Sequence, residues 1–301
     1  MQLIGKTHID FIGKRNISFI VSGIIAIIGI IGIIQIARGD ANMGIDFTGG
    51  TALQLKFDKP IPMESARTAL LKNGLETNLQ EIKDGNKLLI KVGKTNVPLG
   101  KVASTVEQIF KKEFPGNVFV VESSTEIGPS VGEKLRKDTL VAIAIAMVCI
   151  IIYIAWRFDF KFGVGAAVAT LHDILAMFAV FYLFNREINL LFITAVLTIA
   201  GYSLTDTVVV FDRIRENLRK QTKELLSVIF NNSINEVLSR TIITSLTTFL
   251  AAASLLLFGG EVIHDFALAL VVGIIVATYS SVFVASPLVV LWENRSSPNK
   301  A

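Results

Sequence analysis

Hydrophobic positions in this chain gather into six long runs, separated by short charged turns and one long polar interval. Ile17 to Ile36 is apolar apart from Ser18, Ser22 and Gln35. Leu140–Trp156, Phe162–Phe184, Leu190–Phe211, Thr241–Phe258 and Phe266–Trp292 follow, the last with Pro287 near its end. Apolar stretches near or above about 18–20 residues are the signature of bilayer-crossing helices, so the pattern predicts six spans. The first run exceeds the ~7–15 apolar residues of a signal peptide, and no clear small-x-small cleavage site ends it. It reads as a retained first span.

From residue 37 to 138 the periodicity is that of a soluble domain. Thr51–Phe57 alternates like a strand, and Met63–Lys72 has helical spacing. Leu79–Lys83 and Lys87–Val92 suggest two strands turning at Asp84-Gly85-Asn86, a hairpin signal. Val102–Phe114 is again helical, and Val118–Glu122 is a strand. The order βαββαβ is the ferredoxin-like pattern, and about 100 residues suffice for one such core. Gly44-Ile-Asp-Phe-Thr-Gly49-Gly50 and Gly128-Pro129-Ser-Val-Gly132 flank the domain. Glycine and proline set tight turns, so both segments read as joints between domain and membrane. The predicted fold is thus an α-helical membrane protein, a six-helix bundle with a ferredoxin-like α+β domain inserted after the first span. Its divisions are 1–36, 37–138 and 139–301.

Charge fixes the expected orientation. Lys and Arg crowd the N-terminal segment (Lys6, Lys14, Arg15), the 157–161 turn, the 212–223 segment and the tail with Arg295 and Lys300. The opposite short loops offer only Arg186. By the positive-inside rule both termini are cytosolic and 37–138 is extracytoplasmic, since long translocated loops are exempt from the bias. Residues 212–238 would be a cytosolic segment, amphipathic from Glu224 to Leu238. The 301 residues are 52% hydrophobic and 18% charged, with a net charge of +4. Because the cations sit beside apolar runs, membrane topology explains them more simply than nucleic acid. A single cysteine, Cys149, permits no intrachain disulfide. His8, His172 and His264 are too scattered for a metal cage. No Gly-x4-Gly-Lys-[Ser/Thr] loop is present, so ATP hydrolysis by the chain itself is not expected. No Ser or Cys nucleophile has a fitting histidine nearby in sequence. Asp173 and Asp206 lack the Gly-x-Gly-Asp context of an aspartyl protease dyad.

The candidate chemistry lies inside the spans. Asp206 stands roughly 9 Å inside Asp212 along the fourth run. An intramembrane carboxylate costs about 2.5–3.5 kcal/mol on insertion scales and usually faces a bundle interior or an ion path. The structural alternative is a helix–helix hydrogen bond to Ser203, Thr205 or Thr207. Arg240 opens the fifth run from the same side, and its face continues through Thr244, Thr247, Thr248 and Ala251, a stripe suited to close helix contact. Asp206 and Arg240 could meet at similar depth; alternatively Arg240 is an interfacial, snorkelling arginine. A neighbouring arginine favours the ionised carboxylate and burial favours the neutral one, so moving the arginine would couple proton passage to motion. His172-Asp173 lies about 15 Å into the third run, as a relay component or as a satisfied polar contact. His264-Asp265 sits near the outer boundary, where an exposed helix start explains it.

Several of these segments together resemble one family. Gly44–Gly50, Gly128–Gly132, Leu171-His-Asp173, Gly201-Tyr-Ser-Leu-Thr-Asp206, Phe211-Asp-Arg-Ile-Arg-Glu-Asn217 and Ser239-Arg-Thr-Ile-Ile-Thr-Ser245 resemble the SecD/SecF family of protein-export membrane proteins, in order and over nearly the whole chain. The resemblance implies distant kinship with resistance–nodulation–division transporters and a bacterial-type inner membrane. It implies a SecD partner in a heterodimer, association with the SecYEG channel and its accessory subunits, and a translocating polypeptide as cargo. Protons would be the coupling ion, with no other cofactor, no metal and no enzymatic reaction. Carried over by residue, Asp206 matches the family's essential membrane aspartate and Arg240 the arginine thought to act with it. Asp212 matches a second aspartate, whose interfacial place fits a structural role equally. The implied work is late-stage export, with proton flow moving the outer domain. A proton-driven small-molecule exporter of the same superfamily and a purely structural subunit are the alternatives. Six spans are half of the twelve expected for such a transporter, so the chain should pair with a similar set.

Overall fold

A computed structural model of the chain describes residues 7–38, 42–82, 86–93, 95, 97–98, 100–220 and 224–296. It divides into two units, one of Met43–Val141 and one of Met1–Asn42 with Ala142–Ala301.

The first unit is an α/β module. A short helical turn, α2 (Ile45–Thr48), leads into β1 (Gly50–Phe57), α3 (Met63–Lys72), β2 (Thr77–Ile82), β3 (Lys87–Val92), α4 (Val102–Glu113) and β4 (Phe119–Ile127). The four strands form one antiparallel sheet in the order β2-β3-β1-β4. That is the ferredoxin-like arrangement, and it follows from the hydrophobic code. Alternation in β1 and β3 sends Leu53, Leu55, Phe57, Leu88, Ile90 and Val92 to one face, where the apolar stripes of α3 and α4 (Ala66, Leu70, Val106, Phe110) close over them. Of the expected hairpin turn only Asn86 is described, with φ 54°; Asp84 and Gly85 lie outside the described residues, as do Lys6, Lys223 and Lys300. The two glycine segments meet within this unit. A Cβ on Gly132 would stand 2.9 Å from the Gly49 amide nitrogen, and Gly49 itself adopts φ +72° beside Pro129. Only glycine fits at this crossing.

The second unit is helical: α1 (Arg15–Arg38), most of α5 (Pro129–Arg157), α6 (Phe160–Leu183), α7 (Leu190–Lys220), α8 (Leu226–Phe258), α9 (Glu261–Ser280), a π-helical turn (Ser281–Ala285) and α10 (Ser286–Ser296). Counting Val262–Glu293 as one, six helices are long and apolar enough to cross a membrane. Helix α1 lies directly on α6: a Cβ on Gly29 would come within 2.2 Å of the Leu175 carbonyl oxygen. Such backbone contact is how helices associate in lipid. By contrast, α5 turns Val148, Ile151, Ile152 and Trp156 outward.

Several details differ from the periodicity reading; the helix of the second span starts at Pro129, inside the second glycine segment, and not at Leu140. The amphipathic stretch from Glu224 is not a separate interfacial segment; from Leu226 it is the start of α8, continuous with the fifth span. Its apolar face has somewhere to go, since Phe230 and Ile234 pack with Phe162, Phe211 and Ile214. The last span is interrupted just before Pro287. Proline has no N–H and its ring collides with the carbonyl four residues back, so the preceding turn widens.

Candidate functional site

Along α7, Ser203, Asp206 and Thr207 share one face and are all buried. Three other elements converge on that face: Asp173 from α6, Thr241 from α8, and Ser280 and Ser281 from the junction of α9 with the π-helical turn. Widening the turn leaves two consecutive serines presented to the bundle interior, and π-helical turns in helices frequently mark functional positions.

Asp173 is fully buried and well partnered. Its Oδ2 accepts from Ser203 Oγ at 2.5 Å and from Ser280 Oγ at 2.8 Å. Its Oδ1 lies 3.2 Å from Nδ1 of the adjacent His172. The other histidine nitrogen, Nε2, is buried without a partner, and the ring leans on Tyr279 with centroids 6.1 Å apart.

Asp206 is differently placed. It is 8% exposed and faces the hydroxyls of Thr241 and Ser281. Its Oδ2 and the Thr241 Oγ1 are sealed from solvent with no partner in full hydrogen-bond geometry, although the Thr241 and Ser281 hydroxyls both lie close enough to act on the carboxylate. Ser281 meanwhile shares a 2.9 Å hydrogen bond with Thr207. A buried polar atom without a partner is costly and calls for an explanation. Farther along, Tyr202 OH donates to Ser245 Oγ at 3.2 Å, and Thr278 Oγ1 donates to the same oxygen at 2.8 Å.

The other sequence candidates fall elsewhere. Arg240 is exposed and makes no ion pair with Asp206; one step of about 100° along α8 brings Thr241, not Arg240, against α7. Thr244, Thr247 and Thr248 are also exposed and bond back to carbonyls of their own helix. Thr205 does the same on α7, donating to the Gly201 carbonyl. The stripe expected to make close helix contact is therefore open within this chain. Asp212 accepts from Arg157 Nη2 at 2.5 Å, tying α7 to the end of α5. Asp265 accepts from Arg186 at 3.5 Å. Gly49, Gly50, Gly128, Pro129 and Gly132 gather where α2 meets the start of α5. Among the described residues no cluster of three or more His, Cys, Asp or Glu could hold a metal.

No motif marks Ser280 and Ser281 in the sequence, and nothing sets Thr241 apart within Ser239–Ser245. The available signal was a Tyr-Ser-Ser sequence in an apolar run, six residues before a proline.

A family model described as "Protein export membrane protein SecD/SecF, C-terminal" matches residues 105–295, and one described as "SecD/SecF GG Motif" matches residues 42–61. The chain is 52% identical to protein translocase subunit SecF of Thermodesulfovibrio yellowstonii, covering 98% of both chains. It is 37% identical to the subunit of the same name from Pseudomonas aeruginosa, over 96% of this chain and 92% of that one. It superposes on the crystal structure of SecDF, a translocon-associated membrane protein from Thermus thermophilus, with a TM-score of 0.86 at 36% identity. That match covers 98% of this chain and 40% of the SecDF chain. From residue 105 to 295, and over almost its whole length against its relatives, the chain belongs to the SecD/SecF family of protein-export membrane proteins.

Proposed function

We propose that this protein is an auxiliary subunit of the Sec protein translocase in which Asp206 takes up and releases a proton, and that this drives movement of the α/β module during late export. The carrying observation is the Asp206 Oδ2, shut away from solvent and without a partner in full hydrogen-bond geometry in a helix of membrane-spanning length. The Oδ2 of Asp173, by contrast, accepts from both Ser203 and Ser280. An under-satisfied carboxylate is poised to change state.

The surroundings suit both states. A serine or threonine hydroxyl can donate to a carboxylate or accept from a carboxylic acid, so Thr241 and Ser281 can follow the proton. Arg240 is one residue from Thr241. A shift of α8 that exchanged them would set a cation beside Asp206 and favour its ionised form. His172 and Asp173, linked through Ser203 on the same face of α7, extend the polar interior toward α1 and form the candidate relay. Asp212, held by Arg157, has a bracing role.

The chain corresponds to 40% of the SecDF chains it superposes on, so a SecD subunit is the natural partner. The open face of Thr205 with Thr244, Thr247 and Thr248 suits its helices, because small hydroxyl residues allow close approach. The SecYEG channel and its accessory subunits, the emerging polypeptide and membrane lipid complete the assembly. Kinship with bacterial SecF subunits supports a bacterial inner membrane location, and Lys and Arg placement supports both termini cytosolic with the module outside. Protons are the only coupling species in this reading, with no enzymatic step, no metal and no nucleic acid. The small-molecule exporter alternative gains nothing from relatives named as translocase subunits.

Asp206→Asn keeps shape and hydrogen-bonding capacity but cannot titrate. Assembled with SecD, this variant should express normally and lose the proton-gradient-dependent part of export, at least tenfold. Export at the wild-type rate would refute the reading.

A further inference from the structure

The segment Phe211–Asn217 contains more basic chemistry than the proton reading uses. Where α5 and α7 end, a cleft of about 430 Å³ is lined by Arg157, Asp212, Arg215, Glu216, Arg219 and Lys220. Four cations face two carboxylates there, and both carboxylates are already engaged. Asp212 accepts from Arg157, and Glu216 accepts from Lys220 and, at 2.6 Å, from Arg213 outside the cleft. Among the described residues the polar contacts of Arg215 are long, 3.7 Å from Asp159 Oδ2 and 3.5 Å from the Arg157 carbonyl oxygen. Arg219 is exposed and in no ion pair among the described residues.

Basic residues at helix C-termini are ordinary, because they complement the helix dipole and obey the positive-inside bias. That accounts for cations on each helix end. It does not account for two guanidinium groups from different helices converging on one ring. Those of Arg157 and Arg215 lie 5.1 and 5.7 Å from the Phe158 ring centroid. Arg157 is paired with Asp212, whereas the nearest described carboxylate to Arg215 is 3.7 Å away, and planar guanidinium forks fit a phosphate oxygen pair. The level is that of the lipid headgroups. Trp156 is 87% exposed and Phe160 75% exposed on the turns flanking Arg157, and exposed aromatics of this kind sit at the membrane interface. Above them α5 offers the outward-facing Val148, Ile151 and Ile152, a track for an acyl chain.

We propose that this cleft binds the phosphate of an anionic phospholipid, with Arg215 and Arg219 as the principal ligands and α5 receiving the acyl chains. Basic clefts between membrane helices are recurrent sites for such headgroups. The proposal stands independently of proton movement by Asp206.

Purified full-length protein titrated with phosphatidylglycerol or phosphatidylcholine, with bound lipid counted by native mass spectrometry, tests it. Phosphatidylglycerol should bind at least tenfold more tightly, and Arg215→Gln with Arg219→Gln should erase that preference. Arg215→Lys, which keeps the charge but not the fork, should lose only part of it. A charge-matched pair remote from the cleft, Lys14→Gln with Arg15→Gln, should leave the preference intact. Equal binding of the two lipids, or equal loss in the remote pair, would overturn the proposal, the latter by showing diffuse surface charge. Full displacement of lipid by inorganic phosphate at matched concentration would also overturn it, by showing a site for free anions.

Discussion

The interior of the α/β module and the interior of the membrane bundle are built from different materials. Around Leu53, Ile90 and Phe110 the module is closed by apolar side chains, and among its described residues Thr51 is the sole buried polar one. The bundle buries His172, Asp173, Ser203, Asp206, Thr207, Thr241, Ser280 and Ser281 together. In water, removing apolar surface drives folding, so a polar interior would only weaken the module. In lipid the surroundings are already as apolar as leucine. Helices there associate through close packing and polar contacts, and ionisable groups are kept for function.

The largest effect that would break this contrast is in the module. Phe110→Ala should cost about 3–5 kcal/mol, the range for emptying a packed aromatic site. Thermal unfolding followed by proteolysis of the full chain should show residues 43–141 cut first while the bundle stays intact. If module and bundle were lost together, the two interiors would not be separate in stability.

A smaller effect sharpens the contrast from the other side. Ser280→Ala removes one of the two hydroxyl donors to Asp173 Oδ2. Measured hydrogen bonds between membrane helices are modest, so the expected loss is about 1 kcal/mol in a reversible denaturation in detergent micelles. A loss as large as that of Phe110→Ala would mean that the polar cluster, not packing, holds the bundle together.

The six spans, the module and the sequence of its elements were legible because each rests on a periodicity that the solvent enforces. Asp206 was legible because a carboxylate in an apolar run is conspicuous. The facing of α8 was not. The stripe through Arg240 and Thr244 has the right spacing, but spacing does not say which side meets a neighbour within the chain and which waits for another subunit. The two serines at 280 and 281 were hidden for another reason. Their presentation depends on how Pro287 deforms the preceding turn, a backbone effect that no pattern of side chains reports. The N-terminal segment likewise read as short and basic. In the structure Phe11 and Ile12 are buried, and Asn231 and Asn235 grip the backbone of Ile9, Phe11 and Ile12. Two asparagines at i and i+4 were its only sign.

That grip gives the smallest effect. Asp10 accepts from the Gly13 amide and from Asn231, which hold its carboxyl below the usual range. Its folded value lies below its unfolded one, so the stabilisation is complete above the ordinary value near ~3.9 and lost as pH falls through the folded value. Asp10→Ala should therefore lower the unfolding midpoint slightly at neutral pH, and the gap from wild type should close on acidification. A gap that widens in acid would reverse the assignment.

The most direct test concerns Asp206 itself. Infrared difference spectra of the full chain with its SecD partner, recorded across pH and compared with Asp206→Asn, resolve the carbonyl band of a protonated carboxyl. We expect a band that appears and disappears with pH in the wild type and is missing from the variant. Identical spectra for the two proteins, with no carboxyl at position 206 changing state, would contradict the proposed role.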